Sequence, residues 1–292
     1  MSTFIQAVVA GIAAGAVYGL LGAGFSLAYK TTGIINFAHG DIAMLGAYVT
    51  FSVFGWGAPL FVAALAGVVA GGLAGAVMER GVLRPLYKRP LVAGILATVG
   101  VSVVLQSVIQ LVWGSLPLTL PSLASSTPWR IGSVAFSPAQ AVLLAVTIIV
   151  STALIFAVDR TRVGRGMRAC AQDSGVVVLF GISPERLYLT AFAIAGMLAG
   201  LAGALITPTI GLTPSRGVSL SVLGFAAAVL GGLGSVTGAI VGGIAIAVLR
   251  NLASVYVSAG YADAVAYLAI VLVLLVRVRG LLGDDLETVR SV

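Results

Sequence analysis

The 292 residues are 60% hydrophobic and only 9% charged, with a mean hydropathy of +1.14, a balance that excludes a soluble protein with a single core. The net charge of +7 does not mark a nucleic-acid binder, because the basic residues sit in short patches beside apolar runs, the positive-inside pattern of a polytopic membrane protein. The single cysteine, Cys170, rules out an internal disulfide and any multi-cysteine metal site.

Asp, Glu, Lys and Arg are absent from residues 42–78, 91–129, 131–158 and 187–215. Each of these runs exceeds the roughly 20 apolar residues of one helical span. Polar and apolar residues do not alternate as a membrane barrel requires, so the spans are expected to be helices. The first, residues 4–29, has no basic start and is too long for a cleaved signal. Gly11, Gly15 and Gly19 recur every four residues in it, followed by Gly22 and Gly24. That spacing lets another backbone come close and predicts a helix buried among its neighbours; the plainer alternative is that glycine is simply abundant, at 38 residues.

Lys30 closes this helix, and residues 33–48 follow with the only histidine, His39, and the carboxylate of Asp41. A short second span is expected over residues 41–54 and a third over 60–78. The loop 79–90 carries Arg80, Arg84, Lys88 and Arg89 against Glu79, which makes it cytoplasmic. A fourth span, 91–113, leads into a polar, proline-containing segment, 114–138, whose only charge is Arg130; its low basic count places it outside, with Trp113 and Trp129 as interfacial anchors.

A fifth span, 139–158, returns to a cytoplasmic loop over 159–186, rich in arginine. Span six covers 187–207. A glycine-broken pair, 217–230 and 235–257, is joined by Gly231, Gly232, Leu233 and Gly234, and a last span over 261–276 ends at Arg277 and Arg279. Asp263 either pairs with Arg250 or stays at the headgroups. About eight or nine crossings result; nine would put the N-terminus outside, and one re-entrant segment would put it inside. A weak internal echo, around Gly40 and around Gly234, suits a core of two related halves.

Three stretches carry information beyond topology. In Asn36-Phe37-Ala38-His39-Gly40-Asp41, polar side chains lie at membrane depth, where an ionisable group marks a functional site by default. One reading is a broken helix whose freed backbone and side chains line a translocation path. The other makes Asp41 the N-cap of the second span and Asn36 and His39 interfacial loop residues. Were the stretch helical, Asn36, His39 and Gly40 would share a face.

The second stretch is 164–186. Residues 167–180 predict a short amphipathic helix with Met167, Cys170, Ala171, Val178 and Leu179 on its apolar side and Gly181 ending it. An apolar stripe outside the membrane is explained by a partner groove. The third, 229–239, is glycine-rich but lacks the Lys-Ser/Thr of a P-loop, so it reads as a break between helices. No ATP site, cofactor site, metal site or catalytic constellation is expected, and ATP energy would have to come from another polypeptide.

In order and spacing, residues 33–48, 164–182 and 229–243 resemble the signature stretches of the permeases of high-affinity branched-chain amino-acid ABC transporters, and the shorter of the two permeases such systems pair. The resemblance extends over residues 4–279. It implies an all-α, type II ABC importer-like permease with about eight or nine transmembrane helices. It further implies a single transmembrane domain over residues 1–292, in the bacterial inner membrane. The implied partners are a sister permease, two cytoplasmic ATPases and an external substrate-binding protein. It implies a coupling loop over 159–186, with Arg165, Arg168, Ala169, Asp173 and Gly181 as ATPase-coupling positions. Asn36, Phe37, His39, Gly40 and Asp41 would then border the substrate pathway. Residues 174–178 and Thr237 depart from the usual pattern, which bears on partner choice. The competing expectations are a proton-coupled secondary transporter using His39 and Asp41, and an intramembrane enzyme built on His39.

Overall fold

The long apolar runs become helices whose limits follow from local chemistry. The computed structural model describes residues 2–121, 127, 129–131, 134–276 and 280–282. In chain order the elements are α1 (Ser2–Thr32), α2 (His39–Gly55), α3 (Leu60–Met78), a π-helical turn (Glu79–Leu83), a 3-10 turn (Arg84–Leu86) and α4 (Leu91–Trp113). A small antiparallel hairpin, β1 (Trp129–Ile131) and β2 (Val134–Phe136), precedes α5 (Pro138–Arg160). There follow α6 (Arg162–Gln172), α7 (Ser174–Leu179), α8 (Pro184–Ile210), α9 (Arg216–Gly231), α10 (Val236–Tyr256) and α11 (Ala262–Val276).

Prolines 59 and 90 immediately precede α3 and α4, where a missing N–H costs nothing. Ser137 and Gln140 form a reciprocal capping box at the start of α5. Among the described residues, six helices are long and apolar enough to cross a membrane. Together with the shorter α2, α9 and α11, of 17, 16 and 15 residues, they are in keeping with the expected eight or nine crossings. Arg277 and Arg279 lie outside the described residues.

The predicted burial of α1 holds, and its glycines explain it. A Cβ on Gly11, Gly15 or Gly19 would lie 2.6, 2.5 and 2.9 Å from the Cα atoms of Val248, Ile244 and Ile240 on antiparallel α10. The same device joins α3 to α8, where Gly71 and Gly75 face Gly196 and Phe192 and a Cβ on Gly200 would fall 2.5 Å from the Gly67 carbonyl oxygen. Lipid offers apolar side chains no advantage for burial over itself, so close backbone contact of this kind is what holds such helices together.

One end of the bundle gathers loop 79–90, α6, α7 and the start of α8. At the other end Gln6 exchanges two 2.8 Å hydrogen bonds with the backbone of Ala135, and Leu118 bridges to Leu212. There Asp263 pairs with Arg250, which decides between the two expectations for it. Trp113, at the end of α4, also has a partner that the sequence does not name: its Nε1 donates to Ser52 Oγ at 2.7 Å and its ring lies 5.2 Å from that of Tyr48. A buried indole N–H needs an acceptor, and α2 supplies one.

The internal echo falls elsewhere than expected. Gly231 to Gly234 form the turn between α9 and α10, whereas the counterpart of the break after α1 is the break at 211–215 after α8. In each half a long helix is followed by an unwound segment and a short helix, and the first turns of α2 and α9 meet inside the bundle.

Gly243→Leu should prevent α1 and α10 from closing, because a Cβ there would already lie 2.6 Å from Gly19 Cα. A loss exceeding the roughly 1–3 kcal/mol of ordinary overpacking is expected, read as collapse of the monodisperse peak in detergent gel filtration. Gly55→Leu, whose Cβ would meet nothing within 4 Å, should leave that peak intact.

Candidate functional site

The break after α1 is written into the local sequence. Thr31 and Thr32 turn their hydroxyls back to the carbonyls of Leu27 and Ala28, at 2.8 Å each, and Ile34 N–H is taken by Thr32 Oγ1. Gly33 at φ +74° then ends the helix in a conformation that favours glycine. Asn36 Oδ1 accepts from Ala38 N at 3.0 Å, an Asx turn that prepares the restart at His39.

Unwound backbone inside an apolar bundle must be satisfied by neighbouring elements. Phe37 shows how. Its N–H donates to Thr98 Oγ1 of α4 at 3.1 Å, and its carbonyl accepts from Ser221 Oγ of α9 at 2.7 Å. The same Ser221 oxygen accepts from Gly40 N at 2.7 Å, satisfying a free N–H in the first turn of α2. Asp41 Oδ2 accepts from Ser102 Oγ at 2.5 Å, and Gln106 Nε2 donates to that hydroxyl at 3.0 Å.

The predicted pathway residues are therefore brought together. Asn36, His39 and Asp41 are 2%, 1% and 0% exposed, Gly40 is buried and Phe37 is half-buried. Two details of the expectation change. Asp41 does not cap α2: Ala38 occupies the cap position without a side-chain bond, and Asp41 sits in the first turn bonded to α4. Asn36 lies outside the helix, so it shares no helical face with His39 and Gly40.

His39 turns the other way from Asp41. Its ring packs 4.7 Å from Phe25, and a Cβ on Gly24 would fall 2.7 Å from its Nε2. Asp41 Oδ1 and His39 Nε2 are both buried without a hydrogen-bond partner among the described residues.

Ser221, Thr98, Ser102 and Gln106 were not singled out from the sequence. The last three recur every four residues on the apolar α4, a polar stripe that marks one face of a helix. Nothing local distinguishes Ser221 from other serines.

The arginine-rich loop 159–186 forms two helices where one was expected over 167–180. Asp173 adopts an extended conformation at the end of α6 and its Oδ1 accepts from Gly175 N at 2.7 Å, which restarts the chain as α7. The expected apolar side is thereby divided. Met167 and Cys170 are buried, Ala171 is half-buried, and Val178 and Leu179 are exposed together with Phe180 and Ile182. Burial pushes the Cys170 thiol up, away from the reactive thiolate.

Gly181, at φ +72°, ends this knuckle as expected. Next to it Val178, Gly181, Ile182, Ser183, Pro184 and Glu185 line a groove of about 410 Å³. Arg165 and Asp173 are exposed and Ala169 is half-buried. Arg168 binds Asp159 Oδ1 at 2.8 Å and the Val158 and Asp159 carbonyls at 3.0 and 3.2 Å, which staples α6 to the end of α5.

A family model described as "Branched-chain amino acid transport system / permease component" matches residues 7–274. The chain belongs to this family. It is 34% identical to the high-affinity branched-chain amino acid transport system permease protein LivH of Escherichia coli K12, with 96% of each chain covered. It is 31% identical, again over 96% of each chain, to the corresponding permease protein BraD of Pseudomonas aeruginosa.

Among solved structures, PsaBC from Streptococcus pneumoniae in complex with Fab aligns over 98% of this chain and 93% of that one, with a TM-score of 0.50 and 13% identity. At that identity the likeness concerns the fold. The chain is thus an all-α polytopic permease with the type II ABC importer architecture, a transport subunit of a multi-pass membrane family.

Ser221→Ala should destabilise the folded permease by about 1–3 kcal/mol, because it leaves both Gly40 N–H and the Phe37 carbonyl without their partner. A lower apparent Tm in detergent is expected. Ser107→Ala, which removes a bond to its own helix at Val103 O, should move it little. Equal melting of the two variants would refute the clamp.

Proposed function

We propose that this permease is the membrane-spanning subunit of an ATP-driven importer for branched-chain or related amino acids, in the bacterial inner membrane. It works with a sister permease, two cytoplasmic ATPases and an external binding protein that delivers the substrate. The whole chain forms one transmembrane domain, within which residues 159–186 serve as the coupling loop.

The observation that carries this reading is the knuckle at the basic end of the bundle. Val178, Leu179, Phe180 and Ile182 are 56%, 84%, 77% and 41% exposed, and Arg160, Arg162, Arg165 and Arg186 of the same loop are exposed as well. Large apolar side chains in water beside a groove are an interaction surface. A permease without its own nucleotide site requires an ATPase there.

Residues in this loop divide the work. Leu179 and Phe180 form the apolar contact, Arg165 and Asp173 offer charge to the partner, and Gly181 fixes the bend that presents the knuckle. Arg168 and Ala169 contribute from beneath by holding α6 on the bundle, so that a push on the knuckle reaches α5 and α8.

ATP-driven closure of the ATPases then rocks the helices in alternating access. Asn36, Phe37, His39, Gly40 and Asp41 border the route, because the break where they lie joins the two short helices at the crossing of the two halves. Proton coupling through His39 and Asp41 has less support: His39 packs on α1 while Asp41 bonds to α4, so the two diverge and form no relay.

Leu179→Asp with Phe180→Asp should cut co-purification of the ATPases with the permease at least about tenfold, while detergent gel filtration of the permease stays unchanged. Full ATPase recovery with both substitutions in place would remove the docking assignment. Leucine uptake that persists without the ATPases and collapses with the proton gradient would favour the secondary transporter instead.

A further inference from the structure

Loop 79–90 is basic overall, yet it contains a fully buried carboxylate. Glu79 is 0% exposed at the end of α3, where the helix widens into the π-helical turn. Its Oε1 accepts from Tyr87 Oη at 3.2 Å, and its Oε2 is buried without a hydrogen-bond partner. Burial, reinforced by the nearby Glu79, raises the Tyr87 phenol, so Tyr87 stays the donor. This closes the loop on itself, with Leu83 fully buried beneath it.

The closed loop is fastened to α8. Arg84 forms an ion pair with Glu185, and the Tyr87 and Tyr188 rings lie 4.9 Å apart at 66°. Both partners belong to the first turns of α8, and Glu185 also lines the groove beside the knuckle. On its far side the loop runs through Pro90 directly into α4. That helix carries Thr98, which holds Phe37 N–H, and Ser102, which holds Asp41. A continuous series of contacts therefore leads from the knuckle through α8 and the loop to α4 and the break.

We propose that loop 79–87 is a transmission element: Arg84, Tyr87 and Glu79 are positioning residues that convert displacement of the knuckle into movement of α4 against the break after α1. The proposal rests on the reading of the knuckle as the ATPase dock. An exposed ion pair adds little to stability. Its value here is geometric, because it ties the loop to the first turn of α8. The tight glycine contacts of α3 with α8 make those two helices move as one body, and α4 packs chiefly on α2. Without the loop contacts, α4 would be free to lag behind.

The test uses the full complex, with sister permease, ATPases and binding protein, in proteoliposomes. The readouts are ATPase recovery and the ratio of radiolabelled leucine taken up to ATP hydrolysed. Arg84→Glu and Glu185→Arg should each lower that ratio about threefold or more with ATPase recovery retained, and the double exchange should restore it. Tyr87→Phe, which keeps the ring contact with Tyr188 and removes the donor to Glu79, should also lower it. Lys88→Glu, an exposed charge on the same loop, should not.

Unchanged ratios in the single variants, or a double exchange no better than either single, overturn the proposal. Loss of ATPase recovery that tracks the loss of uptake assigns Arg84 and Glu185 to docking and overturns it as well. A wild-type complex that recruits no ATPase overturns the docking reading itself, which separates the two failures.

Discussion

A peptide group stripped of its helical partner inside an apolar bundle is costly unless something else bonds to it, and the architecture is arranged around that requirement. Between Thr32 and His39 the chain is unwound, and its freed groups are answered by side chains from α4 and α9. Ser221 serves two of them at once, joining the first turn of α2 to α9. The break is thus held by two helices from different parts of the chain. Whatever displaces either helix must also alter the break.

Close backbone packing determines which helices can do so. Glycines fuse α1 with α10 and α3 with α8 into tight pairs, in which even one added carbon meets a neighbouring backbone. Such pairs move as units. By contrast, the polar contacts of α4 with the break, through Thr98 and Ser102, are side-chain hydrogen bonds, which can be exchanged without opening a cavity. Rigid pairs flanking adjustable contacts are a physical basis for rocking, because interfaces between packed bodies switch between discrete arrangements more readily than they deform.

The spans were legible because hydropathy and helix length are properties of short stretches: α3 and α4 match the expected limits, and the burial of α1 follows from glycines four residues apart. Family membership was legible from three stretches in the right order. What sequence could not supply was partnership across distance. Ser221 is separated from Phe37 by most of the chain, and no local pattern names it as a backbone donor. Nor does any local pattern name Ser52 as the acceptor of the Trp113 N–H. The single helix expected over 167–180 failed at Asp173, whose side chain bonds a nearby backbone N–H and so competes with helix continuation. That break changes the meaning of the apolar residues, since it sends Met167 and Cys170 inward and leaves Leu179 and Phe180 outward.

The same competition explains why the polar residues of the break act as fasteners before they act as chemistry. Asp41 and His39 each retain an unpartnered atom, yet they face different helices, and no chain of donors connects them. A carboxylate that accepts from Ser102 in the first turn of α2 also lies where the helix dipole favours negative charge. Its neighbour across the crossing is Gly217, in the first turn of α9, a position where any side chain would displace it. Two helix starts therefore converge on one acidic side chain. A permease needs this more than it needs a catalytic pair, since it must keep a broken helix defined in one state and release it in another without making or breaking a covalent bond.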